Sequence, residues 1–335
     1  MAKTRTVLFG VGAVGSLIAR HLLEKKGIQI VGAIDASEEK AGKDLADLLG
    51  TSSSLGIRVS RNAETTLSLT NPNIVVHATS SYLHDVFPQL KTIIKHGANI
   101  VSTCEELSYP YYSEPQLAKE IDALAKEKNV TVLGTGINPG FLMDTLVIAL
   151  SAVCQKIDEI EVVRVINAAT RRVPFQRKIG AGLSIEEFQQ SLREKKISGH
   201  VGLEESISLI ASALGLKLEQ IHRQPVTPVI AKRPTASNAI HIEPGQVSGL
   251  RQVAVGQQAG KAIITLRFNA FVGAEDEHDA ISIKGLPNVT QRITPCVNGD
   301  LGTVAVIANA IPKVISAQPG LVTMKDLPPI SATIV

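Results

Sequence analysis

The chain has 335 residues, 44% hydrophobic and 19% charged, a globular composition at a length that suggests two domains. A net charge of +3 with no basic block, and 3% aromatic residues with no Trp, argue against a nucleic-acid binder. No apolar run reaches the roughly 18 residues of a membrane helix, and three scattered cysteines (Cys104, Cys154, Cys296) give neither a disulfide framework nor a C-x-x-C metal pair, which points to a reducing cytoplasm.

TRTVLF opens the chain as a short apolar strand and GVGAVG follows as a turn. Val14, Leu17, Ile18 and Leu22 then recur at helical spacing, and Lys25, Lys26 and Gly27 end that helix with cations at its negative pole. IQIVGAI is a second strand with Asp35 at its C-terminal end. Further strands are predicted at 74–78, 99–103 and 130–134, with helices over 86–95 and 114–128 between them. Strands alternating with helices, without hairpin turns, predict an α/β fold with a doubly wound parallel sheet.

After about residue 155 the pattern changes. A long strand at 157–165 precedes a helix over 184–195, which Ser184 and Glu187 open as a capping box. Another helix covers 203–214, and β-rich stretches cover 240–255 and 261–272. This predicts a second, α+β domain with a largely antiparallel sheet. An apolar helix follows over 302–315, and Pro319-Gly320 punctuates a short tail.

GVGAVG places Gly10, Val11, Gly12, Ala13, Val14 and Gly15 in the G-x-G-x-x-G register. Glycines there allow a tight turn and close approach of a pyrophosphate, and the helix N-terminus offers free N–H groups. A plain glycine-rich turn is the bland alternative. The strand before, the helix after and an acidic residue 20 positions beyond Gly15 favour the Rossmann dinucleotide fingerprint. Asp35 would then take the ribose hydroxyls, or else cap a helix starting near Glu38. Ala36 and Ser37 follow it with no Arg for a 2′-phosphate, which favours NAD, and Lys40 leaves NADP open.

Ala78, Thr79 and Ser80 suit a loop passing along the cofactor, although an ordinary strand-to-helix loop would look the same. Glu105 and Glu106 follow the next strand, at the edge where open α/β sheets bind ligands. If strand geometry persists, the two side chains leave on opposite faces and only one is catalytic. Asn138 and Pro139, after the strand at 130–134, would abut a nicotinamide. Arg164, Arg171, Arg172, Arg177 and Lys178 read for the most part as a solvated basic stretch. No two of the eight histidines stand at metal-ligand spacing, so no metal is expected.

Taken together, GVGAVG, ATSSY, EELSYP, GTGINPGFLMD, GHVGLEES and the block NGDLGTVAVIANAIPKVISAQPGLVTMKDLP resemble the 2,4-diaminopentanoate dehydrogenases and native NAD(P)-dependent amine dehydrogenases, distant cousins of dihydrodipicolinate reductase. The chain lacks the His-His pair of that reductase. The resemblance implies reversible oxidative deamination of a small amine to a ketone or aldehyde plus ammonia. It also implies that Glu105, with Glu106 as alternative, activates water or ammonia. Arg164 and His278 would hold a substrate carboxylate, and Arg172 and His200 would line the substrate pocket. An alcohol or aldehyde dehydrogenase, or a dihydrodipicolinate reductase-like enzyme, are the alternatives on the same scaffold, and a non-catalytic NAD-sensing protein is a further one. The expected organisation is a dinucleotide-binding domain over 1–138 with about 298–335, and a substrate-binding and dimerisation domain over 139–297, giving a cytoplasmic homodimer without nucleic-acid or membrane partners.

Overall fold

The computed structural model describes residues 3–332. In chain order its first half runs β1 (Thr4–Phe9), α1 (Ala13–Leu23), β2 (Ile28–Ile34), α2 (Leu45–Leu49), β3 (Val59–Ser60), α3 (Ala63–Thr70), β4 (Ile74–His77), α4 (Leu83–Lys95), β5 (Asn99–Ser102), α5 (Pro110–Ser113), α6 (Pro115–Glu127) and β6 (Thr131–Gly134). It continues through α7 (Thr145–Ser151), β7 (Lys156–Asn167), α8 (Val173–Lys178), α9 (Ile185–Arg193), α10 (Leu203–Leu214), β8 (Gln220–Arg223), β9 (Thr227–Ile230), β10 (Thr235–Ala236) and β11 (His241–Ile242). The last elements are β12 (Val247–Gln258), β13 (Lys261–Phe271), β14 (His278–Leu286), β15 (Val289–Ile293), α11 (Gly299–Ser316) and β16 (Gly320–Val322). Two compact units result: residues up to Phe141 together with those from Asn298 onward, and Leu142–Val297.

The first unit is a parallel seven-stranded sheet in the order β16-β6-β5-β4-β1-β2-β3. Its central strands carry buried apolar runs, Val7–Phe9, Ile74–Val76 and Val132–Leu133, as strands covered on both faces do. Val7, Val75, Ile100 and Val132 on those strands meet Leu83, Val86, Leu90, Ile93 and Ile94 of α4 and Ala118, Ile121 and Ala125 of α6 in one buried cluster. Helix α1 buries Gly15, Ile18, Ala19 and Leu22, a stripe at three- and four-residue spacing, and packs with α11. Asn298 caps α11 by accepting from the Asp300 and Leu301 amides.

Residues 320–322, which read as tail in the sequence, form β16, the edge strand parallel to β6. Its outward-facing residue is covered by side chains: Leu321 N–H donates to Asp122 Oδ1 at 3.1 Å and its carbonyl accepts from Tyr111 Oη at 3.1 Å. Burial first, then the Asp122 and Asp326 charges, push the Tyr111 phenol up to about 12, so it stays a donor.

The second unit is a sheet in the order β15-β14-β7-β13-β12-β8, with β9 also on β12. Only β7 and β13 run parallel; the other pairs are antiparallel. Its buried face carries Ile160, Val162, Ile264, Leu266, Phe268 and Ala254, and α10 packs on β12 and β13. The opposite face carries half-buried Val163, Val165, Val253 and Val255. Ser184 and Glu187 close the capping box of α9.

Candidate active site

In the first unit the loops that follow β1, β4, β5 and β6 gather at the carboxyl edge of the sheet. The three glycines of the first loop differ in what they do. Gly10 has φ +99°, and a Cβ on it would lie 2.3 Å from the Ala78 carbonyl oxygen. A Cβ on Gly15 would lie 2.0 Å from the Gly10 oxygen, so these two permit the loop to close on itself and on the 78–80 segment. A Cβ on Gly12 would meet nothing within 4 Å. Gly12 caps α1 with no side-chain hydrogen bond, and no acidic residue sits in the first turn. The helix therefore presents amide donors and its positive pole beside an open position, which is a cradle for a pyrophosphate.

Asp35 follows β2 and bonds back to this loop. Its Oδ2 accepts from Val11 N–H at 2.8 Å and from Lys40 Nζ at 2.8 Å, and its Oδ1 accepts from Ser37 N–H at 3.0 Å. Burial alone would raise its pKa, but the bonds from Lys40, Ser37 and Val11 outweigh it and hold the carboxyl below its usual range. No helix starts near Glu38; residues 38–43 are turns, and the next helix begins at Leu45 behind its own cap, Asp44. Asp35 therefore does not act as an N-cap.

The pair Glu105-Glu106 does not lie on a strand. β5 ends at Ser102, Glu105 has helical backbone (φ −63°, ψ −44°), and a 3₁₀ turn begins at Glu106. The alternation expected of strand residues does not apply, and the two carboxylates are separated by tertiary contacts instead. Glu106 Oε2 accepts the Leu83 amide at 2.6 Å, capping α4, whose preceding residue Tyr82 supplies no side-chain cap. The Ser81 carbonyl accepts both Cys104 Sγ–H at 3.3 Å and Glu106 N–H at 3.2 Å, gripping the chain on either side of Glu105. Leu107 rests on Gly134, where a Cβ would lie 2.4 Å from the Leu107 carbonyl carbon. Asn138-Pro139, a cis peptide, follows in the loop after β6, where Ile137 N–H donates to Thr303 Oγ1 at 3.3 Å.

The second unit separates the residues expected to hold a carboxylate. Arg164 is 1% exposed, and its Nη1 pairs with Asp279 Oδ1 at 2.9 Å. Its Nη2 donates to the Val297 carbonyl at 2.5 Å, and Val297 N–H closes the ring on Asp279 Oδ2 at 2.8 Å. The guanidinium is thus engaged by Asp279 and the Val297 peptide within its own unit. His278 pairs in register with Val165 and Asp279 with Arg164, so His278 leaves on the opposite face of the sheet. Its Nδ1 lies 2.8 Å from the Asp276 carbonyl oxygen.

His200 stacks on Phe268, the strand neighbour of Arg164, with ring centroids 4.5 Å apart. Gln252 holds its backbone on both sides, accepting from His200 N–H at 2.7 Å and donating to its carbonyl at 3.3 Å. Burial, then the Lys178 and Arg164 charges, push the His200 imidazole down to about 3, so the ring is neutral. Arg172 precedes α8, and Arg171 beside it is buried, its guanidinium 4.5 Å from the Phe175 ring centroid, unlike exposed Arg177 and Lys178. Asp279 and Gly134 carry no local signal of these roles; strand register and packing reveal them. Among the described residues no cluster of His, Cys, Asp and Glu could hold a metal ion.

Residues 141–335 match the model of the 2,4-diaminopentanoate dehydrogenase C-terminal domain, and residues 4–109 match that of the dihydrodipicolinate reductase N-terminus. A 2,4-diaminopentanoate dehydrogenase of Acetoanaerobium sticklandii is 35% identical over 98% of this chain and 94% of its own length. The chain belongs to the 2,4-diaminopentanoate dehydrogenase family. An amine dehydrogenase of Streptomyces virginiae is 22% identical, with 96% of each chain covered. The solved structure of an amine dehydrogenase from Mycobacterium smegmatis superposes with a TM-score of 0.86 at 31% identity, over 99% of this chain and 98% of that one. Both family models thus map onto the architecture described above.

Proposed function

We propose that this member of the family is an NAD-dependent amine dehydrogenase that interconverts a small amine with its ketone or aldehyde plus ammonia, with Glu105 as the base. The observation that carries the reading is the open position at Gly12 on the same sheet edge as Glu105, in a chain of this family. When bound, a nicotinamide supplies the acceptor of the hydride. Val11, Ala13 and Val14 with the three glycines would hold the pyrophosphate, Asp35 the ribose, and Ala78, Thr79, Ser80, Asn138 and Pro139 would line the remaining length. Asp35 Oδ1 takes one short bond, from Ser37, and a carboxylate oxygen has room for a ribose hydroxyl. A 2′-phosphate would instead meet that negative charge, so NAD is favoured, while Lys40, paired with Asp35, is a cation able to admit NADP.

Ammonium is not a nucleophile, so reductive amination needs a group to take its proton; a positioned carboxylate does this. Glu105 is assigned that role, and Glu106, whose Oε2 caps α4 at Leu83, a structural one. Arg172 and His200, both in the second unit, are proposed as substrate-binding residues; neutral His200 can donate or accept a hydrogen bond. The half-buried valines of the second unit's sheet are proposed to seat a second copy, giving a homodimer, and the free cysteines fit a cytoplasmic setting. NADH oxidation with short ketones, aldehydes and keto acids, with and without ammonium, tests the activity. Turnover that requires ammonium supports it, and equal turnover without ammonium overturns it in favour of an alcohol or aldehyde dehydrogenase.

A further inference from the structure

His77 ends β4 and is fully buried, in register with Ser102 at the end of β5. Its Nε2 lies 2.7 Å from Gln89 Oε1, which can only accept, so Nε2 carries the proton. Thr79 Oγ1 donates to the same Gln89 oxygen at 2.8 Å. His77 Nδ1 is then the acceptor for the Ser102 hydroxyl at 2.8 Å, and Ser102 Oγ accepts Cys104 N–H at 3.1 Å. The ring packs edge-on against Phe9, centroids 5.5 Å apart, and the residue after it, Ala78, lies against Gly10. One imidazole therefore stands between the loop proposed to run along the cofactor and the segment that carries Glu105.

We infer that His77, acting through Ser102, is a positioning residue that couples the 78–82 loop to Glu105. Several polar contacts connect these segments, among them Thr103 N–H to the His77 carbonyl at 2.9 Å and Leu83 N–H to Glu106 Oε2 at 2.6 Å. The Ser81 carbonyl holds Cys104 and Glu106 from outside the sheet, and the His77–Ser102 link holds Cys104 N–H from within it. Glu105 lies one residue beyond Cys104, so the inner link, added to these backbone bonds, bears on where its backbone starts. Burial holds the ring neutral, which keeps Nδ1 an acceptor.

The inference rests on Glu105 as the base, and the test separates the two. Ser102→Ala removes the link, Ser102→Thr keeps a hydroxyl, and His77→Phe keeps ring shape without the bonds. Hydrogen–deuterium exchange is followed over residues 78–83 and 102–108 with and without NADH. In the parent, NADH protects both segments; in Ser102→Ala it protects 78–83 alone, and Ser102→Thr restores the second. With the ketone that turns over fastest with ammonium, Ser102→Ala lowers kcat by about 10- to 100-fold, the scale of a small misplacement. In a Glu105→Gln background the same change costs less than about threefold, because the group it positions is gone. Undiminished protection of 102–108 in Ser102→Ala, or losses that multiply in the double variant, would overturn the coupling. If His77→Phe fails to fold, the Ser102 variants decide. A fully active Glu105→Gln enzyme would instead remove the reading of Glu105, and shows itself before any Ser102 variant is made.

Discussion

Arg164 and Asp279 form a buried ion pair across β7 and β14, Nη1 to Oδ1 at 2.9 Å, with the Val297 peptide completing the ring. Burial pushes the Asp279 carboxyl up, against the pull of the Arg164 charge and the Val297 N–H. Removing one partner leaves a charge buried without its counter-ion. Arg164→Met is expected to destabilise the chain by about 3–5 kcal/mol in denaturant unfolding. Any loss of kcat/KM should then be equal for keto acids and uncharged ketones. A loss confined to keto acids would return Arg164 to the substrate.

Glu105 and Glu106 should separate cleanly. Glu105→Gln, nearly isosteric but unable to take a proton, is expected to lower kcat by about 10²–10⁴-fold while NADH titration and melting temperature stay unchanged. Glu106→Gln keeps an oxygen for the Leu83 amide and should alter neither. Glu106→Ala loses the cap of α4 and should cost about 1 kcal/mol of stability. Steady-state kinetics paired with thermal unfolding reads all three.

The glycine loop offers a steric contrast. Gly12→Ala meets no neighbour within 4 Å, so the chain should fold as before. It should nevertheless bind NADH at least about tenfold more weakly, because the methyl group occupies the approach to the pyrophosphate. Gly15→Ala, with the Gly10 oxygen 2.0 Å from the new carbon, should instead lower the melting temperature. Fluorescence titration of the unmodified protein should show tighter NADH than NADPH binding, with the order reversed in Asp35→Ser, Ala36→Arg.

Acid stability follows from His77. The unfolded ring titrates near 6.5 and burial lowers the folded one to about 4. Between those values the unfolded chain binds more protons, so stability rises with pH across the window and is lost as pH falls through it. The full gap corresponds to about 3 kcal/mol. His200 adds a contribution of the same sign that extends to about pH 3. Urea unfolding between pH 7 and pH 4 should show this slope, and it should be shallower in His77→Gln.

The strand–GVGAVG–helix unit was legible because its period changes from apolar run to 3.6-residue stripe across glycines, and Ser184 and Glu187 announced their helix by chemistry alone. β3 and β16, of two and three residues, are too short to show any period. The Arg164–Asp279 pair joins positions 115 apart, and strand register creates it. The turn at Glu105 is likewise set from outside, by Ser81, Leu83 and Gly134, so counting residues from β5 misdirected the two carboxylates.

The covering of β16 has a consequence for how the protein behaves in a crowded solution. A parallel sheet ends in a strand whose outward N–H and C=O groups are a ready template for a neighbour's strand. Here the outward amide and carbonyl of Leu321 are already engaged by Asp122 and Tyr111. Gly320 lets the strand sit that close: at φ +134°, a Cβ there would lie 2.7 Å from Asp122 Oδ1. An incoming strand would have to displace both side chains before pairing, so this sheet edge resists edge-to-edge growth into fibrils.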